Sequence, residues 1–293
     1  MDGARRATLA IGGLPIRLAS DTPVPPWTPD AIHREFLSDP DTAPGLTLSL
    51  RYGSLPPLGW SRLRYRGNYL WAIREIPDGF LLAVKGPSRR ATPARVARLD
   101  RRWGAGDLFV RVDAVHSGLG RDPLEFPLEV VLLVGALAHR GGIVVHAAGA
   151  IRNGRGFVFA GRSGAGKTTI ARLLREAGFD IVGDERVILR LDGDRVRLHG
   201  TPWPGDLGVV SARSAPVAAL FTLDQARATR ATPLSAAGVS RAILPRCRLP
   251  VWDRDGMALL LDTIAEIGAR LPCYRLAFVP DASLVDLVSR FAA

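Results

Sequence analysis

Lysine is nearly absent from this sequence. Of its 39 basic residues only Lys85 and Lys167 are lysines, and the rest are arginine. An arginine skew of this kind reads as a compositional habit of the genome rather than as selection for a polyanion partner. Cysteine is almost as scarce. Cys247 and Cys273 stand far apart, with no CxxC pair and no histidine cluster near either. Neither a disulfide scaffold nor a zinc site is therefore expected, and a reducing compartment is the expectation. Long apolar runs are missing too. The longest, residues 130–138, is about half of the roughly 20 residues needed to span a bilayer. The first eighteen residues carry arginines but no sustained apolar stretch with a small-residue cleavage site. The expectation is a soluble, cytoplasmic chain with no membrane partner.

What is present is enough for one large domain or two ordinary ones: 293 residues, 47% of them hydrophobic, with a net charge of +11. The positive balance permits attraction to polyanions. With no aromatic-interleaved basic motif, however, specific nucleic-acid binding is not expected. Residues 14–60 are proline-rich, which disfavours long helices there. The alternating runs at 46–52 and 79–84 read as strands. Thr92-Pro93 reads as the start of a helix through Trp103, presenting Arg95, Arg98, Arg101 and Arg102 on a solvated face. Pro127 opens a second helix, closed by Gly141-Gly142. The expected division is a small mixed α+β domain of unknown role over 1–120 and an α/β domain over 121–293.

The second part carries the chemistry. Residues 143–151 read as a strand with His146 in its middle, Asn153-Gly154 as a hairpin turn, and 156–160 as the returning strand. There follow Gly161, Arg162, Ser163, Gly164, Ala165, Gly166, Lys167 and Thr168, a full match to G-x-x-x-x-G-K-[ST], with Thr169 continuing into a helix. A strand running in and a helix running out is the context a P-loop needs. The loop amides and helix N-terminus would then cradle phosphates, Lys167 would reach the β/γ-phosphates, and Thr168 would place its hydroxyl on Mg²⁺. One of only two lysines falls on the position where the motif requires one. That weighs against a chance glycine loop.

Asp184 and Glu185 end a short strand seventeen residues after Lys167, a spacing that predicts a strand lying beside the P-loop strand. A carboxylate there can hold Mg²⁺ or accept a proton from an attacking hydroxyl. The competing reading is an exposed strand-end turn. Neither an N-K-x-D box nor an L-S-G-G-Q signature is present. The irregular loop 200–208 offers Trp203 as a substrate lid or an anchored turn. Arg213, Arg241 and Arg246 are candidates for clamping a transferred phosphate.

Val145-His-Ala-Ala-Gly, then the loop at 161–168, then Asp180-Ile-Val-Gly-Asp-Glu resembles the catalytic domain of the HPr kinase/phosphorylase family. A similar P-loop and acidic pair occurs in ATP-type phosphoenolpyruvate carboxykinase. The resemblance spans about residues 143–225. It implies a P-loop kinase domain of the HPr kinase C-terminal type, using ATP and Mg²⁺. Asp184 matches the general base, Glu185 a second metal-linked carboxylate, and His146 the histidine upstream of the loop. This chain has Asp-Glu where the family has Asp-Asp, and His199-Gly-Thr-Pro-Trp-Pro-Gly replaces the family's protein-substrate signature. The implied activity is phosphoryl transfer to a hydroxyl, on a Ser/Thr side chain of a protein or peptide. A free small-molecule alcohol, or a nucleotide-binding regulatory module without transfer, is the alternative. Homo-oligomerisation is left open.

Overall fold

The computed structural model describes residues 6–20, 31–57, 59–67, 70–85, 92–111 and 122–292. It is a mixed α/β structure with two sheets. The chain divides into two compact units. One comprises Met1–Ala10, Leu14–His139 and Pro250–Gly256, and the other Ile11–Gly13, Arg140–Leu249 and Met257–Ala293. The boundary expected at residue 120 lies outside the described residues. The main changeover falls between His139 and Arg140.

The first unit is built on eight strands: β1 (Arg6–Ile11), β2 (Leu14–Ala19), β3 (Leu46–Gly53), β4 (Arg62–Gly67), β5 (Trp71–Ile76), β6 (Gly79–Lys85), β7 (Pro93–Asp100) and β8 (Ala105–Arg111). Their order is β1-β2-β3-β8-β7-β6-β5-β4. A short helix α1 (Ala31–Arg34) and the apolar α2 (Leu128–Ala138) accompany them. Pro127 stands at the N-cap of α2. The helix expected from Thr92-Pro93 is instead β7. Its backbone pairs with β6 on one side and β8 on the other, so sheet pairing overrides the local start signal. Arg95, expected on a solvated face, is buried and pairs with Glu125 at 2.6 Å.

In the same unit His33 of α1 is buried between two carboxylates. Its Nδ1 lies 3.2 Å from Asp122 Oδ2, and its Nε2 lies 3.2 Å from Glu129 Oε1. Burial alone would lower its pKa, but hydrogen bonds to the two carboxylates outweigh that and raise it from 6.5 to about 10. A folded-state pKa above the unfolded one favours the native state fully below pH 6.5 and is lost as pH rises through about 10. The thermal unfolding midpoint is therefore expected to fall across that interval. His33→Gln should flatten the fall. An equal slope in the variant would remove His33 as its cause.

The second unit contains β9 (Gly142–Val145), β10 (Ala147–Arg152), β11 (Arg155–Ala160), α3 (Lys167–Glu176), β12 (Asp180–Gly183), β13 (Val187–Asp192), β14 (Arg195–His199), β15 (Ser214–Gln225), β16 (Arg230–Pro233), α4 (Ala236–Ile243), α5 (Arg254–Arg270, its first three residues assigned to the first unit), β17 (Cys273–Phe278) and α6 (Ala282–Ala292). The strand order is β12-β10-β11-β15-β14-β13-β9, and β17 pairs with β15 and β16. Three strands, β11, β15 and β17, run parallel. Helices α3 and α6 contribute Ile170, Leu174, Leu284 and Val288 to the core shared with Phe157, Phe159 and Phe221. The expected hairpin joins β10 to β11, with Asn153 at φ 51° and Gly154 at φ 71°, the left-handed pair its turn requires.

That hairpin also corrects the expected sheet order. Strand β10 occupies one edge of β11 and β15 the other, so β12 pairs with β10 and not with the loop strand. Because β10 is antiparallel to both, β11 and β12 still point the same way. Their C-terminal ends emerge at one edge of the sheet, two strand spacings or about 10 Å apart.

Candidate functional site

Strand β11 delivers the chain at Ala160 into the glycine-rich loop. Within it Ala165 N–H donates to the Arg162 carbonyl at 3.1 Å, and the Gln225 side-chain amide donates to the Gly164 carbonyl at 3.1 Å. Gly166 sits at φ +99°, and a Cβ there would stand 2.7 Å from the Phe278 ring. Both facts demand glycine. It is also the N-cap of α3 and brings no side-chain cap. The first-turn amides of α3 are thus left for an acceptor from outside the helix.

Lys167 opens α3 and is only 6% exposed. Its ammonium donates to the Arg162 carbonyl at 3.2 Å. Burial holds its pKa below the ordinary lysine value, and Glu185, Asp184 and Asp206 partly offset that by favouring the charged form. Arg162, Ser163 and Thr169 are exposed, whereas Gly161 is buried.

At the neighbouring end of β12, Asp184 is 2% exposed. Its Oδ2 accepts from Leu207 N–H at 3.0 Å. Its Oδ1 is buried without a hydrogen-bond partner. Gly205 lies against this carboxylate so closely that a Cβ would come within 2.5 Å of Oδ1. An exposed strand-end turn is therefore the wrong description of Asp184. The next residue in the covering segment, Asp206, places Oδ2 3.4 Å from Thr168 Oγ1. Asp206 thus joins the loop to Asp184 and was not singled out by motif. Its one sequence signal is the Gly205-Asp-Leu-Gly208 run. Trp203 is buried and anchors this segment.

His146 does not lie mid-strand. It occupies a bend between β9 and β10, and its Nε2 is 3.0 Å from Glu185 Oε2. Glu185 Oε1 lies 3.2 Å from Arg186. Although burial raises its pKa, the His146 hydrogen bond and nearby positive charges bring the net shift below the usual carboxylate range. Both Glu185 oxygens are engaged, one by His146 and one by Arg186. Of the arginines expected to clamp phosphate, Arg213 pairs with Asp180 at 2.7 Å and Arg241 is exposed on α4. Arg246 lies close enough to Lys167 to act on its charge.

Among the described residues no three His, Cys, Asp or Glu side chains converge as a metal cluster. The oxygen donors at hand are the orphaned Asp184 Oδ1, Thr168 Oγ1 and Asp206. A set of this size and hardness fits Mg²⁺, which is commonly held by one or two carboxylates jointly with substrate phosphates.

A mixed α/β unit thus carries a glycine-rich loop, a buried lysine and a buried carboxylate at one sheet edge. A family model described as "SynChlorMet cassette protein ScmC" matches residues 124–279, more than half of the chain. The chain belongs to that family. Among solved structures, the Hpr(Ser) kinase/phosphatase from Coxiella burnetii is similar over 50% of this chain and 87% of that one, at 11% identity and a TM-score of 0.32. No curated protein matches. Among the described residues, no helix is long and apolar enough to cross a membrane.

Proposed function

We propose that the second unit is a P-loop kinase domain that transfers the γ-phosphoryl group of ATP to a hydroxyl, on a Ser/Thr side chain of a protein or peptide. The observation that carries this reading is the convergence on Lys167. A buried lysine at an uncapped helix start lies within the field of Asp184, Glu185 and Asp206. The motif at 161–168 and the resemblance of 143–225 to the HPr kinase family agree with it.

In this mechanism the amides of residues 161–169 and the Lys167 ammonium hold the phosphates and stabilise charge on the transferring group. Asp184 accepts the hydroxyl proton as the acceptor oxygen bonds to phosphorus. The bond from phosphorus to the bridging oxygen breaks, and ADP leaves with its electron pair. Thr168, Asp184 and Asp206 would hold Mg²⁺, which supplies Lewis-acid neutralisation of the phosphates. Glu185, expected to be a metal ligand, is tied to His146 and Arg186 and belongs to the acceptor side of the site. Because Gly205 and Leu207 lie against Asp184, the covering segment must part from it before a hydroxyl can reach the carboxylate. The test is transfer of label from γ-labelled ATP to a protein or peptide acceptor in a lysate of the source cells. Label confined to inorganic phosphate or to a small molecule would overturn the assignment of acceptor.

A further inference from the structure

Within the second unit a cavity of about 260 Å³ is lined by His146, Glu185, Arg186, Arg246, Cys247 and Arg248, with Pro245 at its edge. Backbone bonds fix its wall. His146 N–H donates to the Arg246 carbonyl at 2.8 Å, and Arg248 N–H donates to the Val144 carbonyl at 2.9 Å. Cys247 is bridged to Val145 between them. The arginine segment is thereby stitched along the end of β9 and into the bend that carries His146. The cavity shares Glu185 with the acidic pair, and Asp184 precedes it in the chain.

Its charge is lopsided. Three guanidinium groups face one carboxylate, Glu185, and that carboxylate is shared between Arg186 and His146. Among the described residues no ion pair engages Arg246 or Arg248. Arg246 donates one Nη to the Ala242 carbonyl, while its Nε is buried without a partner. Arg186 is held below its ordinary pKa first by burial and then by Arg248, partly offset by Glu185, and Arg246 first by burial and then by Arg162 of the loop, partly offset by Asp224. Cations gathered around a concavity without a matching anion are unfavourable unless a ligand brings the anion. The volume is just below that of sites for drug-sized ligands, and it suits one or two side chains.

We propose that this cavity is the acceptor subsite and that it recognises a peptide whose accepting hydroxyl is flanked by acidic side chains. A carboxylate would sit between Arg246 and Arg248, where guanidinium forks can bind it bidentately. This placing of the acceptor rests on the phosphotransferase reading. Recognition of the acidic peptide does not need catalysis and is measured without it.

The probe is a fluorescein-labelled peptide with one serine flanked on each side by two glutamates. Its binding is followed by anisotropy at about 150 mM salt, where long-range attraction is screened. Wild-type protein is expected to bind it and to ignore the lysine-flanked counterpart. The double variant Arg246→Gln/Arg248→Gln should bind at least about tenfold more weakly, a loss of about 1.4 kcal/mol. Arg227→Gln/Arg290→Gln removes the same charge at exposed positions elsewhere in the unit. It should change affinity less than about twofold, well short of that tenfold loss. ATP affinity should be unaltered in Arg227→Gln/Arg290→Gln. Equal weakening by the two double variants, or no binding of the acidic peptide by wild type, would each overturn the proposal. If the peptide behaves as expected but wild type neither binds nor turns over ATP, the cavity's preference stands and the phosphotransferase reading fails.

Discussion

Lys167→Ala is expected to lower ATP turnover by at least about 10²–10³-fold, the usual cost of deleting a preorganised group that stabilises transition-state charge. The side chain is the one buried lysine among the described residues. Its ammonium has a single carbonyl partner, Arg162, so the protein itself uses little of its hydrogen-bonding capacity. Its burial costs solvation, which is what depresses its pKa. A charge kept in such a place is worth more to a bound polyphosphate than to the core. The variant should keep its circular dichroism and its unfolding midpoint to within a few degrees, since the Arg162 carbonyl that loses the ammonium still accepts from Ala165 N–H. Turnover like that of wild type in a folded Lys167→Ala protein would show that the loop does not act on phosphate.

The second large effect concerns Asp184. Asp184→Asn preserves the shape under Gly205 and keeps an oxygen for Leu207 N–H, but it removes the proton acceptor and the full negative charge. If Asp184 is the general base, single-turnover transfer from γ-labelled ATP should fall by about 10²–10⁴ while nucleotide affinity is kept. If it chiefly holds metal, Mg²⁺-dependent nucleotide affinity should fall with it. Glu185→Gln separates the two carboxylates. Because both Glu185 oxygens are engaged by His146 and Arg186, this variant should leave the Mg²⁺ dependence of ATP binding intact and weaken acceptor use instead. Full transfer by Asp184→Asn would remove the base assignment.

The strand, glycine-rich loop and helix were legible because their signals are local. Glycines at fixed spacing, a lysine and a hydroxyl residue stand between an apolar strand and a helix, and Asn153-Gly154 names the turn before them. The sheet order was not legible. The spacing from Lys167 to Asp184 is compatible with β12 beside β11 or one strand further out, and the choice is made by the hairpin that claims the edge of β11. Strand β7 was misread for a related reason. Thr92-Pro93 is a good helix start judged locally, but the partners on both sides, β6 and β8, lie elsewhere in the sequence. Asp206 carries no periodic signal at all, and its closeness to Thr168 exists only once the segment 200–208 has folded over Asp184. Arg186 and Arg248 were hidden by abundance, since one arginine among so many is distinguished only by the cavity it lines.

The most direct measurement is equilibrium binding of ATP to the wild-type chain with and without Mg²⁺, by dialysis or titration calorimetry. One nucleotide per chain, bound more tightly with Mg²⁺ and lost in Lys167→Ala, is the predicted result. Absence of ATP binding at millimolar concentration, or binding unchanged by Lys167→Ala, would contradict the assignment of residues 161–169 as a nucleotide site.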